Sequence, residues 1–178
     1  MNEQEYIGKE IIETEDGLTI DNDIIMWKYE DPIITEGVRL LCDKINPKSV
    51  IELGFGYGFT SQQFQDCGVE RHIIIEAHPE LYQRALEWAE DKPGVEVIND
   101  FWQNVDIEDE VDLVYFDTFE MVYKHNDLTY SEEQEHFNFK WYATMFVQSH
   151  CECLKNDNWI EFEVNGEIYF QPLYNIGE

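Results

Sequence analysis

The chain has 178 residues, enough for one domain around one core and too few for two comfortable ones. Its 39 acids against 11 bases give a formal net charge of -28, which repels phosphate backbones and anionic lipid, so neither nucleic acid nor membrane is an expected partner. No apolar run approaches the ~20 residues of a membrane span and the N-terminus is acidic, unlike a signal peptide, so a cytoplasmic protein is expected, a monomer or homodimer.

Apolar residues at 43% and aromatics at 15% supply a packed core. The acidic coat suits a cationic substrate, and it also serves simple solubility. Cys42, Cys67, Cys151 and Cys153 have no histidine pair at ligand spacing near them, so free thiols and no metal are expected.

In chain order, Ile11-Ile12 and Leu18-Thr19-Ile20 flank Glu15-Asp16-Gly17, which reads as a hairpin turn. Pro32 favours the first turn of a helix, with Asp31 as its cap, and Ile34, Val38, Leu41 and Ile45 recur at helical steps. Asn46-Pro47 ends that helix. The apolar run 49–53, carrying Glu52, is the pattern of a buried parallel strand. Gly54, Gly56 and Gly58 follow at alternate positions, then a segment that can wind as a helix and closes at Gly68. Arg71-His72-Ile73-Ile74-Ile75 is a second strand, ending in Glu76. Pro79 opens a helix over 80–90, Val95-Glu96-Val97-Ile98 is a third strand, and Val111-Asp112-Leu113-Val114-Tyr115-Phe116 is a fourth, ending in Asp117. Ser131-Glu132-Glu133-Gln134 resembles a capping box and predicts a long helix to about residue 154, with Phe137, Trp141, Met145 and Phe146 on its core face. Trp159-Ile160-Glu161-Phe162-Glu163-Val164 is a fifth strand, and Asn165-Gly166 turns the chain back antiparallel beside it.

Strand, glycine turn and helix together make the first half of a nucleotide-binding crossover. Glycine lets the backbone approach a ligand, because no Cβ intervenes. A dinucleotide fingerprint needs a glycine where Phe59 stands, and a phosphate loop needs a lysine after Gly58. Acid-G-x-G-x-G is instead the pattern of S-adenosylmethionine enzymes. Glu76 falls about 20 residues after the glycines, where a strand-end carboxylate accepts from both ribose hydroxyls. Gly54, Glu76, Asp100 and Asp117 all stand at strand carboxyl ends, where open α/β sheets bind ligands.

The stretch 50–58, Ile73-Ile74-Ile75-Glu76, Tyr115-Phe116-Asp117-Thr118 and His136-Phe137-Asn138-Phe139 resemble the guanidinoacetate N-methyltransferase family and its protein-arginine-methylating relatives. Ile25-Met26-Trp27-Lys28-Tyr29-Glu30-Asp31-Pro32 resembles the segment leading those enzymes into their first helix, and the similarity runs from about residue 18 to 154. The resemblance implies an α/β, Rossmann-like class I methyltransferase with S-adenosyl-L-methionine as cofactor. It implies Met26 against the methionine part, Phe55, Gly56, Tyr57, Gly58, Phe59 and Thr60 around it, and Glu52 and Gly54 at the strand end. Glu76, Ala77 and His78 would hold the ribose, and Asp100, Phe101 and Trp102 would border the adenine. Asp117 is counted with the cofactor set and, with Glu30, as the catalytic pair that clasps a guanidinium.

That clasp suits the chemistry. A guanidinium is protonated at neutral pH, whereas an attacking nitrogen needs a lone pair. Two carboxylates pair with its N–H fork and aim one nitrogen at the methyl group, Asp117 taking the proton and Glu30 fixing orientation. Glu30 also stands where a helix-entry acid favours the dipole. Family members continue with a loop that grips the substrate's carboxylate, and here Glu161, Glu163 and Glu167 crowd that region, so a guanidino or amino cation other than guanidinoacetate is expected. The expected sheet is mostly parallel, of order 3-2-1-4-5-7, with an antiparallel last strand at its edge and the sixth strand missing. The alternatives are a binding protein that kept the cofactor pocket but lost catalysis, and a protein arginine methyltransferase.

Overall fold

The computed structural model describes residues 3–116, 118, 136–144 and 159–175. The expected N-terminal hairpin forms: β1 (Ile12–Glu13) pairs antiparallel with β2 (Gly17–Ile20). β3 (Asp23–Trp27) joins β2 across a bulge between Leu18 and Thr19, completing a three-stranded sheet. A short helix, α1 (Glu3–Ile7), packs Tyr6 with Ile11, Leu18, Ile20 and Leu81.

A single 3-10 turn (Lys28–Glu30) leads into α2 (Asp31–Ile45). Ile34, Val38 and Leu41 of the expected apolar stripe are buried, Ile45 is half-buried, and Ile33, Gly37 and Cys42 widen the stripe. The N-cap is Glu30 rather than Asp31, because the 3-10 turn already brings residue 31 into helical conformation. Asn46 stops the helix in the left-handed region, at φ 46°.

β4 (Ser49–Leu53), β5 (Arg71–Ile75), β6 (Val95–Ile98) and β7 (Val111–Phe116) are parallel, connected in part by α3 (Phe59–Asp66) and α4 (Pro79–Ala89). Alternate side chains serve opposite faces, as strand geometry requires. Val50 joins Val38, Leu41 and Phe64 on the face covered by α2 and α3, while Ile51 and Leu53 join Ile73, Ile75 and Val114 on the other.

Two expectations fail at the far edge. Within the predicted helix 131–154, the segment β8 (Phe139–Thr144) is a strand, parallel to β7. Its run Phe-Lys-Trp-Tyr-Ala-Thr is rich in β-forming aromatics, and a strand buried on both faces lacks the alternation that would have distinguished it from a helix. The capping box, Met145, Phe146, Cys151 and Cys153 lie outside the described residues. β9 (Trp159–Val164) is therefore not the fifth strand of the sheet. β10 (Glu167–Asn175) turns back at Asn165-Gly166 as expected, but inserts between β8 and β9, antiparallel to both. The observed order is β6-β5-β4-β7-β8-β10-β9. Counted from β4 it reads 3-2-1-4-5-7-6, so the sixth strand is present and is itself the edge. No helix among the described residues is long and apolar enough to cross a membrane.

Gly94, in the turn before β6, has φ 89°, and a Cβ there would stand 2.2 Å from the Glu70 carbonyl oxygen. Its own carbonyl accepts from His72 N–H at 2.8 Å, so the backbone has little room to retreat. Gly94→Ala is expected to lower unfolding free energy by about 2 kcal/mol. Urea titration checks this, and an unchanged midpoint would contradict the tight turn.

Candidate functional site

The glycine turn begins where β4 ends. Gly54 N–H donates to Ile75 O at 2.9 Å, tying the turn to the end of β5. Gly56 has φ 54°, and a Cβ there would lie 2.3 Å from Met26 Sδ. Met26 is buried, and its sulfur accepts from Tyr57 N–H at 3.2 Å. A residue of β3 thus packs on the turn. Gly58 is the N-cap of α3 and has no side chain to bond the first-turn amides. Thr60, in that first turn, is buried and its Oγ1 has no hydrogen-bond partner among the described residues. Tyr57 and Phe59 stack at 5.2 Å, and Phe55 turns inward against Trp88.

Glu76 follows β5 and is 3% exposed. One carboxylate oxygen accepts from Phe55 N–H at 2.8 Å and the other from His78 N–H at 2.7 Å. Burial pushes its pKa up to about 7, against those backbone donors, and the nearby Glu52 charge adds to the rise. Glu76 and the glycine turn are therefore one bonded unit. His78 contributes its backbone here, because its ring is engaged elsewhere. Nδ1 accepts from Glu80 N–H at 3.3 Å as the cap of α4, leaving Nε2–H to donate to Lys9 O at 2.9 Å.

The loop after β6 closes the next side. Asn99 Nδ2 donates to Glu76 O at 2.8 Å and Ala77 O at 3.1 Å, clamping this loop to the one carrying Glu76. Asp100 accepts from Phe101 N–H and Asn104 Nδ2, both at 2.8 Å, which shapes the loop. Phe101 lies 6.5 Å from the Tyr6 ring, and Trp102 packs edge-on against Phe116 and His136. His136 in turn bonds Val105 O at 2.8 Å, so the H-x-F-N-F stretch braces this aromatic wall. Sequence reasoning missed the clamp by Asn99 and the contribution of Tyr6. Asn99 carried a signal, a short polar side chain at a strand's carboxyl end, whereas Tyr6 carried none.

Glu52 stands apart from this surface. It is buried under the turn, bonded to Ser61 and His72 rather than directed at a ligand. Glu30 is half-buried, and its carboxylate accepts from Trp27 N–H at 3.0 Å. Desolvation raises its pKa, and that hydrogen bond opposes the rise. The neighbouring Tyr29 phenol is raised by desolvation and then by the Glu30 and Glu167 charges. Asp117 lies outside the described residues. The strands leading into Gly54 and Asp117 end side by side, Leu53 paired with Phe116.

The model of the guanidinoacetate N-methyltransferase family matches residues 7–157. The chain belongs to that family. Among curated proteins, it is 30% identical over 112 residues to protein arginine N-methyltransferase 2 of Yarrowia lipolytica, covering 58% of this chain and 23% of that one. It is 29% identical over 135 residues to the Gibberella zeae protein of the same name, covering 65% and 30%. The chain thus spans less than a third of the length of these relatives. Among solved structures, the N-methyltransferase NodS from Bradyrhizobium japonicum superposes with TM-score 0.58 at 14% identity, covering 89% of this chain and 99% of that one. A putative RNA methyltransferase from Pyrococcus horikoshii gives 0.57 at 15%, covering 83% and 82%. Both likenesses show the class I methyltransferase fold.

Guanidinoacetate N-methyltransferases are S-adenosylmethionine enzymes, and the residues present fit that cofactor. Gly56 leaves no room for a Cβ under Met26, and Thr60 Oγ1 is a buried hydroxyl without a partner among the described residues. Gly58 leaves the first turn of α3 without a side-chain cap, and Glu76 offers a desolvated carboxylate.

Proposed function

We propose that this chain is an S-adenosylmethionine-dependent N-methyltransferase acting on a small guanidino or amino cation. One continuous run of geometry supports the reading. Trp27 N–H bonds Glu30, its neighbour Met26 receives Tyr57 N–H, and Phe55 N–H bonds Glu76. The acid for the acceptor, the glycine turn and the acid for the ribose are therefore held in fixed relation.

When bound, the cofactor supplies an electrophilic methyl group to the acceptor nitrogen. The chain's own residues do the rest. Glu76 accepts from the ribose hydroxyls with the lone pairs that Phe55 and His78 leave open. Phe101 and Trp102 wall the adenine, with Asp100 shaping their loop. Met26, with the turn from Gly54 to Thr60, covers the methionine part and excludes water. Glu30 pairs with the guanidinium N–H fork and orients it, and Asp117 takes the proton that the nitrogen loses as its new bond forms. A charge pair at about 4 Å is worth on the order of 4 kcal/mol at an effective dielectric near 20, enough to select a cation over a neutral ligand.

Assay of methyl transfer from labelled cofactor to a panel of guanidino and amino compounds tests the proposal, with label on a small cation expected. Cofactor binding with no label on any compound would leave a binding protein. Protein arginine methylation is the second reading, favoured by the names of the relatives. Label on arginine peptides alone would establish it instead.

A further inference from the structure

Beneath the glycine turn a buried polar chain crosses three elements. Glu52 of β4 is 1% exposed and His72 of β5 is fully buried. One Glu52 oxygen accepts from Ser61 Oγ of α3 at 2.8 Å and lies 2.8 Å from His72 Nε2. The other ring nitrogen, Nδ1, lies 3.2 Å from Gln65 Nε2 in the last turn of α3. An amide nitrogen only donates, so the donor pattern assigns Nδ1 as acceptor and places the ring proton on Nε2, facing Glu52. The relay is then Gln65 to His72 to Glu52, with Ser61 donating from the other side. Phe64 and Trp88 meet the His72 ring edge-on at 5.6 and 6.4 Å and hold its plane.

This relay has a specific consequence for α3. Gly58 gives that helix no side-chain cap, so side chains within α3 have to tie it to its neighbours. Ser61 bonds Glu52 at one end and Gln65 meets His72 at the other, beside the buried Phe64 and a bond from Trp88 Nε1 to Gln62 Oε1 at 3.1 Å. Glu52 also sits two residues before Gly54, in the strand that delivers the turn. We infer that His72, with Gln65 and Glu52, forms a positioning unit for the cofactor cradle. It fixes the first turn of α3 against β4 and so sets where Gly56 to Thr60 stand relative to Glu76. Glu52 then acts through Ser61 and not by touching the ligand. The inference rests on the proposed cofactor site.

Calorimetry with S-adenosylhomocysteine on the full chain tests it, comparing wild type with His72→Leu and His72→Gln. Leu removes both ring contacts, whereas Gln returns an N–H donor near the Nε2 position. His72→Leu is expected to weaken binding at least about tenfold and to raise cofactor KM while changing kcat less than about threefold. His72→Gln should recover most of that loss. Ile74→Val, on the same strand but outside the relay, controls for simple destabilisation and should leave affinity unchanged. Should His72→Leu fail to fold, Gln65→Leu carries the same comparison from the half-buried end of the relay. Wild-type affinity in both His72→Leu and Gln65→Leu, equal losses in the Leu and Gln variants of His72, or an equal loss in Ile74→Val would overturn the positioning role. Absence of binding by wild type would instead remove the cofactor site, and this role with it.

Discussion

Replacing Glu76 with Gln is expected to weaken binding of S-adenosylmethionine and its demethylated product by at least about a hundredfold. Each oxygen of this carboxylate already accepts one backbone N–H, from Phe55 or His78, leaving further lone pairs for a pair of ribose hydroxyls. An amide would turn N–H toward one of those backbone N–H groups and lose an acceptor for one hydroxyl. Hydrogen bonds to a charged group contribute about 1.5–3 kcal/mol each, and the desolvated site leaves no water to substitute. Two weakened contacts amount to roughly 3 kcal/mol, or about a hundredfold.

The same residue sets a pH dependence with two opposite signs. Burial, partly offset by the backbone donors, pushes Glu76 up to about 7. Hydroxyl binding needs the ionised form, so cofactor affinity should fall about tenfold per unit below pH 7 and level off above it. Stability of the free protein runs the other way. A carboxyl whose folded pKa is raised contributes stability that is complete below its unfolded value near 4.5 and is lost as pH rises through about 7. The span corresponds to on the order of 3 kcal/mol. Calorimetry across pH 5.5–8.5 in buffers of different ionisation enthalpy should therefore detect proton release on binding near neutrality. A flat profile would mean that Glu76 is ionised before the ligand arrives.

Asp117→Asn is expected to leave cofactor affinity within about threefold of wild type while turnover drops at least about a hundredfold. The loss corresponds to about 2.7 kcal/mol of barrier, the low end for a missing acid–base group. Asn keeps the size and one acceptor oxygen but loses the proton-accepting capacity and the charge that faces the guanidinium. Glu30→Gln should instead act mainly on acceptor KM, because its carboxylate orients the cation while Trp27 N–H holds it in place. Turnover unchanged in Asp117→Asn would assign the proton to another base.

The part of the fold that bears the cofactor was the part most legible in the sequence. The run from β4 through β6 alternates short apolar stretches with Gly and Pro, and a parallel strand buried on both faces has few other readings beside such breakers. β8 was hidden for the same physical reason. Its Phe139, Tyr142 and Ala143 are buried while only Lys140 is exposed, so the run shows no strand period, and Phe137 and Trp141 happen to fall at helical spacing. Misreading it removed one strand from the count and made the sixth seem absent. The helix α1 left no pattern because it is barely more than one turn, and packing of Tyr6 on His78 holds it rather than propensity. Of the site, Gly54 to Gly58 and Glu76 were legible as local motifs. The Asn99 clamp and the Glu52–His72 contact join residues about 20 apart or more in the chain, and strand pairing brings them together.

The central claim is that Glu76 and the glycine turn form one cofactor cradle, and calorimetric titration of S-adenosylhomocysteine at pH 8 into wild type and Glu76→Gln tests it most directly. The geometry requires a single saturable site per chain in the wild type and at least about a hundredfold weaker binding in the variant. No saturable heat with wild type, or equal affinity in both proteins, would contradict it.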